Sequence, residues 1–336
     1  MRLLVIGCGK MGEYHIKKFS KLGATVTGAM DRNLSKLERF KAKYNLEFIC
    51  TEIDDIEKFS DKFDAISIAL VDSLHLFAFE KIAKFHFPVF MEKPLSLNLE
   101  QAKVFTKYDK VPVMMNFSKR NFGGLHLLKN YYKNNDLGSL ISVKASYLQS
   151  WTKTYCWGDY HKDPRWKWRL NPEVSCYGCL GDLGSHVLDS LIYIFEQIKF
   201  SKTLETKTLT EQLFRPKENN PIYTTCKALF KTNEDVPIEI YVSNEADKDD
   251  ELKIELIFDK GRMVFNNNID RNQIKIIQDG KEKIIISDKI ASTYELFINL
   301  VDDKESNSLN LDEGILVQGF LERVVNDASD RSCNLC

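Results

Sequence analysis

Arg2-Leu3-Leu4-Val5-Ile6-Gly7-Cys8-Gly9-Lys10-Met11-Gly12 stands almost at the start of the chain. A short apolar strand runs into G-x-G-x-x-G, and a helical pattern follows through Phe19. Strand, glycine turn and helix in that order are the context in which this motif binds a dinucleotide. The glycines permit a tight turn and let backbone N–H groups at the helix start approach a pyrophosphate. A second strand over 24–30 ends at Asp31, roughly 20 residues beyond the motif, where a ribose-binding acid is expected. Asp31 would accept hydrogen bonds from a 2′-hydroxyl and repel a 2′-phosphate, which favours NAD. Arg32 beside it would grip that phosphate, which keeps NADP as the alternative.

Outward from this turn the chain alternates. Residues 34–44 read as a helix, 47–50 as extended, and 64–70 (D-A-I-S-I-A-L) as a buried strand of the kind parallel sheets use. A helix over 73–85 leads to an extended 88–91 and Glu92-Lys93-Pro94, then a helix over 99–107 and a strand over 111–117. This rhythm predicts a doubly wound α/β sheet with its ligand at the strand C-termini. Lys93 lies at one such end, facing the nicotinamide; the plainer alternative is an exposed loop lysine.

Composition excludes some functions. Lys plus Arg number 47 against 48 Asp plus Glu, so no global charge draws the chain to nucleic acid or a membrane surface. The longest apolar run, 66–79, is broken by Asp72 and His75, too short for a membrane span. The first strand begins so early that no signal peptide is expected before it. Eight cysteines without such a signal then suggest reduced thiols in the cytoplasm. At 336 residues the chain is long enough for two domains.

Beyond Arg120 the pattern changes. A helix over 124–134 precedes a long strand over 139–150. All four tryptophans then fall within 151–168, interleaved with Lys153, Tyr155, Tyr160, His161, Lys162, Arg165, Lys167 and Arg169. Aromatic faces suit sugar faces and the cations suit a phosphate or carboxylate, which tilts the substrate toward a phosphorylated or nucleotide-linked sugar. A tryptophan-rich domain seam is the equal alternative. The stretch W-K-W-R-L-N-P-E-V-S-C-Y-G-C-L-G-D-L-G-S-H-V-L-D, 166–189, gathers the most chemistry. Asp182 and His186 are four apart, so a helix opening at 181–185 would put both on one face. A carboxylate beside an imidazole supports proton transfer; a capped helix start with a buried histidine is the plain alternative. Strands are expected at 222–231, 236–243 and 251–258, with a hairpin of 273–278 and 281–286 around Asp279-Gly280. Charge runs at 233–250 and 302–308 read as solvated loops, and an amphipathic helix over 311–328 is expected to brace the first domain. Cys176/Cys179 and Cys333/Cys336 have the ligand count of a zinc site but lie far apart in sequence, so incidental thiols and no metal are expected.

Taken together, G-x-G-x-x-G, the strand-end acid, His75 at a helix start, E-K-P, the 116–120 segment and W-R…G-D-L-G-S-H-V-L-D resemble the glucose–fructose oxidoreductase, inositol dehydrogenase and rhizopine-catabolism (Gfo/Idh/MocA) family, over nearly the whole chain. The resemblance implies a Rossmann domain (1–118) and a C-terminal α/β domain (119–336) with an open, mainly antiparallel sheet that forms a homodimer or homotetramer interface. It implies hydride transfer between NAD and a secondary alcohol of a sugar, polyol or nucleotide-sugar, with Lys93, Asp182 and His186 catalytic. Cofactor contacts are expected from Gly7, Gly9, Lys10, Met11, Gly12, Asp31, Arg32, Ala69, His75, Glu92 and Lys93. Substrate contacts are expected from Lys93, Arg120, Trp166, Trp168, Arg169, Asp182 and His186. The chain has Val71-Asp72 where relatives usually carry a proline, and Cys176-Tyr177-Gly178-Cys179 where they often carry consecutive glycines. The second departure bears on the substrate more than on the reaction type. Two alternatives share these residues: a hydrolase that retains its NAD, and a non-catalytic dinucleotide-binding regulator.

Overall fold

A six-stranded parallel sheet organises the first part of the chain in the computed structural model, which describes residues 1–156, 158–159, 162–208, 221–302 and 310–332. Its strands are β1 (Arg2–Ile6), β2 (Thr25–Met30), β3 (Phe48–Cys50), β4 (Ala65–Ile68), β5 (Val89–Met91) and β6 (Val113–Met115), in the order β3-β2-β1-β4-β5-β6. Residues Leu3 to Ile6 and the whole of β4 and β5 are buried, as strands covered on both faces must be. The order reverses direction between β1 and β4, and a crevice at that switch point is where such sheets take their ligand. Helix Lys10–Lys21 follows the glycine turn, and helix Leu34–Tyr44 is started by the Asn33 side chain on the Lys36 N–H. The expected helices over 73–85 and 99–107 are present, with their ends tightened into 3₁₀ turns.

The chain divides into two compact units. The first is Met1–Phe117 with Ala291–Ile315; the second is Ser118–Ile290 with the chain from Leu316 onward. The linear expectation of a single break therefore misses a return. Helix Thr293–Val301, started by a Ser292/Glu295 capping box, belongs to the first unit. Its Tyr294 ring lies 5.0 Å from Phe19 and its Phe297 ring 5.2 Å from Phe90, so two aromatics complete the Rossmann core. Asn310 then pairs with the Met115 backbone along the edge of β6.

In the second unit, β7 (Leu140–Leu148), β8 (Ile198–Thr208), β9 (Tyr223–Thr232), β10 (Pro237–Ser243), β11 (Glu251–Phe258), β12 (Gly261–Asn266), β13 (Gln273–Gln278) and β14 (Lys281–Ile286) form one sheet. The order is β14-β13-β12-β11-β7-β10-β9-β8, antiparallel except for β7 beside β10. Alternation of buried Val143, Ala145 and Tyr147 with more exposed neighbours gives β7 one face on the core. Asp279 and Gly280, at φ 50° and 72°, make the tight turn between β13 and β14. Strand β8 was not expected, because its Lys-, Thr- and Glu-rich sequence carries little apolar alternation. The last helix, Leu311–Ser332, starts in the first unit, but from Leu316 it belongs to the second, where Phe320 meets Phe230 and Asp327 accepts from the Thr203 N–H. The expected bracing of the first domain thus reduces to its opening residues. Among the described residues no helix is long and apolar enough to cross a membrane. The 303–308 part of the second charge run lies outside the described residues.

Candidate active site

The glycine turn of the first unit shows two kinds of glycine. Gly7 has φ +99°, and a Cβ there would stand 2.5 Å from the Ala69 carbonyl oxygen; a Cβ on Gly12 would stand 1.7 Å from the Gly7 oxygen. These two are required by packing. Gly9 is exposed, and a Cβ on it would meet nothing within 4 Å. It is also the cap of helix Lys10–Lys21, whose first N–H groups emerge at that end beside exposed Lys10 and half-buried Met11. Open space before a helix N-terminus is what a pyrophosphate needs, so the residues present fit a dinucleotide. Asp31 lies against the same turn: Oδ2 accepts from the Cys8 N–H at 2.8 Å and Oδ1 from the Asn33 N–H at 2.9 Å. Arg32 is exposed and makes no ion pair among the described residues. Burial, then Asp31, push the Cys8 thiol up to about 12, leaving it a neutral packing group.

The end of β5 is held from within. Glu92 Oε1 lies 2.8 Å from His15 Nε2 and accepts from Asn116 Nδ2 at 2.6 Å. His15 Nδ1 is 2.8 Å from Ser67 Oγ, while Asn116 Oδ1 accepts from Thr293 Oγ1 at 2.9 Å and its Nδ2 donates to Tyr294. Burial would push the Glu92 carboxyl up; His15, Asn116 and Lys93 outweigh it and hold it below the usual carboxylate range. Glu92, expected at the cofactor, is therefore largely committed to the interior, and this pins the backbone that presents half-buried Lys93. His75 is fully buried, with Nδ1 2.9 Å from the Pro94 oxygen and Nε2 3.2 Å from the Leu70 oxygen. It ties the loops after β4 and β5 together, so its expected action on the cofactor would pass through those loops.

The second unit carries Asp182 and His186. The plain helix start expected here is a π-helical turn, Leu180–Gly184, running into helix Ser185–Phe195. Such turns recur at functional sites because the widened ring re-aims side chains. A Cβ on Gly181 would lie 1.8 Å from the Cys176 oxygen, so only glycine lets the turn pack this closely. Asp182 pairs with Arg169 Nη1 at 2.5 Å, and Arg169 lies over Trp168 at 4.9 Å. His186, 7% exposed, stands with its ring 5.9 Å from that of Tyr147. Asp182 is thus held by Arg169, and His186 stands beside Tyr147.

Two expected substrate contacts have other roles. Arg120 grips fully buried Asp189 through Nε at 3.1 and 3.0 Å and Nη2 at 2.6 Å, a bidentate pair that anchors helix Ser185–Phe195. Trp166 is buried with Trp151, Leu170 and Ile222, which supports a packing role over a sugar platform. Trp157, Tyr160 and His161 lie outside the described residues, as does the side chain of Arg165. Residues overlooked in the sequence are His15, Lys119, Tyr147, Gln149 and Asp250. Tyr147 and Gln149, two apart at the end of an alternating strand, were the available signal. Among the described residues no group of three or more His, Cys, Asp or Glu could hold a metal. Cys176 accepts from Gln318 and Cys179 is buried with its thiol pushed well up, while Cys333 and Cys336 lie outside the described residues.

Residues 1–111 match the family model described as "Oxidoreductase family, NAD-binding Rossmann fold", and 125–264 match the GFO/IDH/MocA C-terminal domain. The chain is 24% identical over 214 residues to the glucose-6-phosphate 3-dehydrogenase of Bacillus subtilis (strain 168), covering 61% of this chain and 57% of that enzyme. It is 28% identical over 111 residues to the levoglucosan dehydrogenase of Pseudarthrobacter phenanthrenivorans, covering 32% of this chain and 26% of that one. The aligned part thus spans little more than half of the first relative and about a quarter of the second. A solved levoglucosan dehydrogenase in complex with NADH shares the fold at TM-score 0.84 and 16% identity, covering 98% of this chain and 97% of that chain.

Proposed function

The chain belongs to the GFO/IDH/MocA oxidoreductase family, and from that premise we propose that it transfers a hydride between NAD and a secondary alcohol of a sugar or polyol. The observation that carries the proposal is the glycine turn with open space at Gly9 and Asp31 pinned beside it, in a chain that also keeps Lys93, Asp182 and His186. Bound at that turn, the nicotinamide cofactor supplies the two-electron acceptor. His186 takes the hydroxyl proton as the carbon loses its hydride; Lys93 donates a hydrogen bond to the reacting oxygen and stabilises its developing negative charge. Asp182 polarises this surrounding and is paired with Arg169. Half-buried Trp168, with Arg169 across its face, is the aromatic best suited to a sugar ring. NAD is favoured over NADP because a 2′-phosphate would meet Asp31.

A homodimer or homotetramer through the eight-stranded sheet belongs to the same proposal. It is supported by exposed Ile141, Leu204, Tyr241, Ile284 and Ile286 on four of its strands, and light scattering on the purified protein tests it. A cytoplasmic setting is supported by described cysteines that are all thiols. The activity is tested by absorbance of NADH when the protein meets NAD and a panel of sugars, polyols and nucleotide-sugars. Substrate-dependent NADH is expected. Tightly held cofactor without net NADH would instead favour the hydrolase, and cofactor binding with no chemistry the regulator.

A further inference from the structure

One stripe of helix Ser185–Phe195 carries His186, Asp189 and Tyr193, three and then four residues apart. The last two are each held from outside the helix. Asp189 is fully buried, where an unanswered charge is costly, and the Arg120 guanidinium answers it. Arg120 belongs to the 3₁₀ turn Ser118–Asn121, and its long side chain holds one geometry more readily when its backbone is fixed. His126, on the following helix Gly123–Lys133, folds back to fix it, with Nε2 2.8 Å from the Arg120 carbonyl oxygen. A carbonyl only accepts, so Nε2 carries the proton. In the neutral imidazole Nδ1 then accepts from the Tyr193 hydroxyl at 3.0 Å. These bonds close a circuit: His126 to the Arg120 backbone, the Arg120 side chain to Asp189, along the helix to Tyr193, and back to His126.

We infer that His126, in its neutral Nε2–H form, is a positioning residue for His186, acting through Arg120 and Asp189 on one side and through Tyr193 on the other. Its bearing on catalysis rests on the dehydrogenase reading above. Asp189 and Tyr193 fix the rotation of the helix, and His186, one turn before Asp189, takes its aim from them. Two cations stand over the Tyr193 ring, Lys129 Nζ at 4.3 Å and the Arg120 guanidinium at 5.1 Å. Burial chiefly holds the His126 pKa below its usual value; the bond to the Arg120 carbonyl opposes this, and the charges of Lys129 and Arg120 add to the lowering. A proton on Nδ1 would turn an acceptor into a donor facing Tyr193 and place a third cation beside these two. The circuit is therefore closed at neutral pH. It loosens in acid, as pH falls from the unfolded value of about 6.5 through the lower folded one.

Nitrogen-15 NMR of the six histidines in the whole protein, assigned by single substitutions, tests this without a substrate. In the wild type, His126 should show the Nε2–H tautomer and be mostly neutral at about pH 6.5, the ordinary midpoint of an imidazole. His126→Phe, which removes both bonds, should move the His186 titration midpoint by about half a pH unit or more, the size that one net hydrogen bond carries. His126→Gln, whose amide keeps a donor for the Arg120 carbonyl, should restore much of that shift. Tyr193→Phe, which loses only a hydroxyl, should give a smaller shift in the same direction as His126→Phe. An Nδ1–H tautomer, a His126 mostly charged at that pH, or an unmoved His186 in both His126→Phe and Tyr193→Phe would overturn the inference. NADH production by the wild-type protein is scored apart from these spectra. NADH with an unmoved His186 would keep the dehydrogenase and remove the positioning role; a moved His186 without NADH would do the reverse.

Discussion

The glycine turn of the first unit and the Asp250 corner of the second are built in opposite ways. At the turn, recognition is backbone: Gly7 and Gly12 allow the close packing, Gly9 leaves room, and Asp31 locks onto the Cys8 N–H. At the corner the groups are side chains: Tyr147 and Gln149 donate to the Asp250 carboxylate just before β11, and Lys119, from the segment after β6, faces it. A cofactor common to many enzymes can be met by a contiguous loop.

The sharpest way to break this division is His186→Ala. Loss of acid–base assistance should lower turnover by about 10²–10⁴ while NADH affinity, a property of the other unit, stays unchanged. Lost NADH binding would erase the distinction. Glu92→Gln probes the first unit from inside, because it weakens a buried acid–imidazole pair; breaking such a pair costs about 3–5 kcal/mol. Since the folded state holds the Glu92 carboxyl low, its stabilisation is complete above the unfolded value of about 4.3 and fades as pH falls through the folded one. Urea midpoints of wild type and variant should differ at neutral pH and converge in acid; a gap that widens in acid would contradict the assignment. Gly7→Ala should be destabilised by about 1–3 kcal/mol, given its positive φ and the Ala69 carbonyl. Gly9→Ala should keep its thermal midpoint and bind NADH more weakly. Equal loss of stability in both would show that the space at Gly9 is not reserved for a ligand. Arg32→Ala should change stability by no more than about 0.5 kcal/mol and leave the preference for NAD intact. A loss of NADP binding alone would assign Arg32 to a 2′-phosphate after all.

The same contrast explains what could be read from the residues. The glycine turn and the acid that follows it lie within the first thirty-one residues, and their spacing carries their meaning. Lys93, Asp182 and His186 were visible because each sits in a short motif. Helix Thr293–Val301 was missed because nothing local in it says that Tyr294 and Phe297 complete a core built by Phe19 and Phe90. Arg120 looked like a substrate ligand until its partner, Asp189, appeared sixty-nine residues away. Trp166 looked like a sugar platform until its burial with Trp151 was seen. The Asp250 corner was invisible for the same reason: its charge run reads as solvated loop, and only the pairing of β7 with β11 brings Tyr147 and Gln149 to it.

The most direct measurement is isotopic. The protein would be supplied with NAD and a sugar carrying deuterium on its ring carbons, and the nicotinamide product recovered for mass spectrometry. Hydride transfer predicts NADH carrying one deuterium in the wild-type protein, and far less of it with His186→Ala. Cofactor recovered only as unlabelled NAD, with the sugar unchanged or cleaved, would contradict the dehydrogenase.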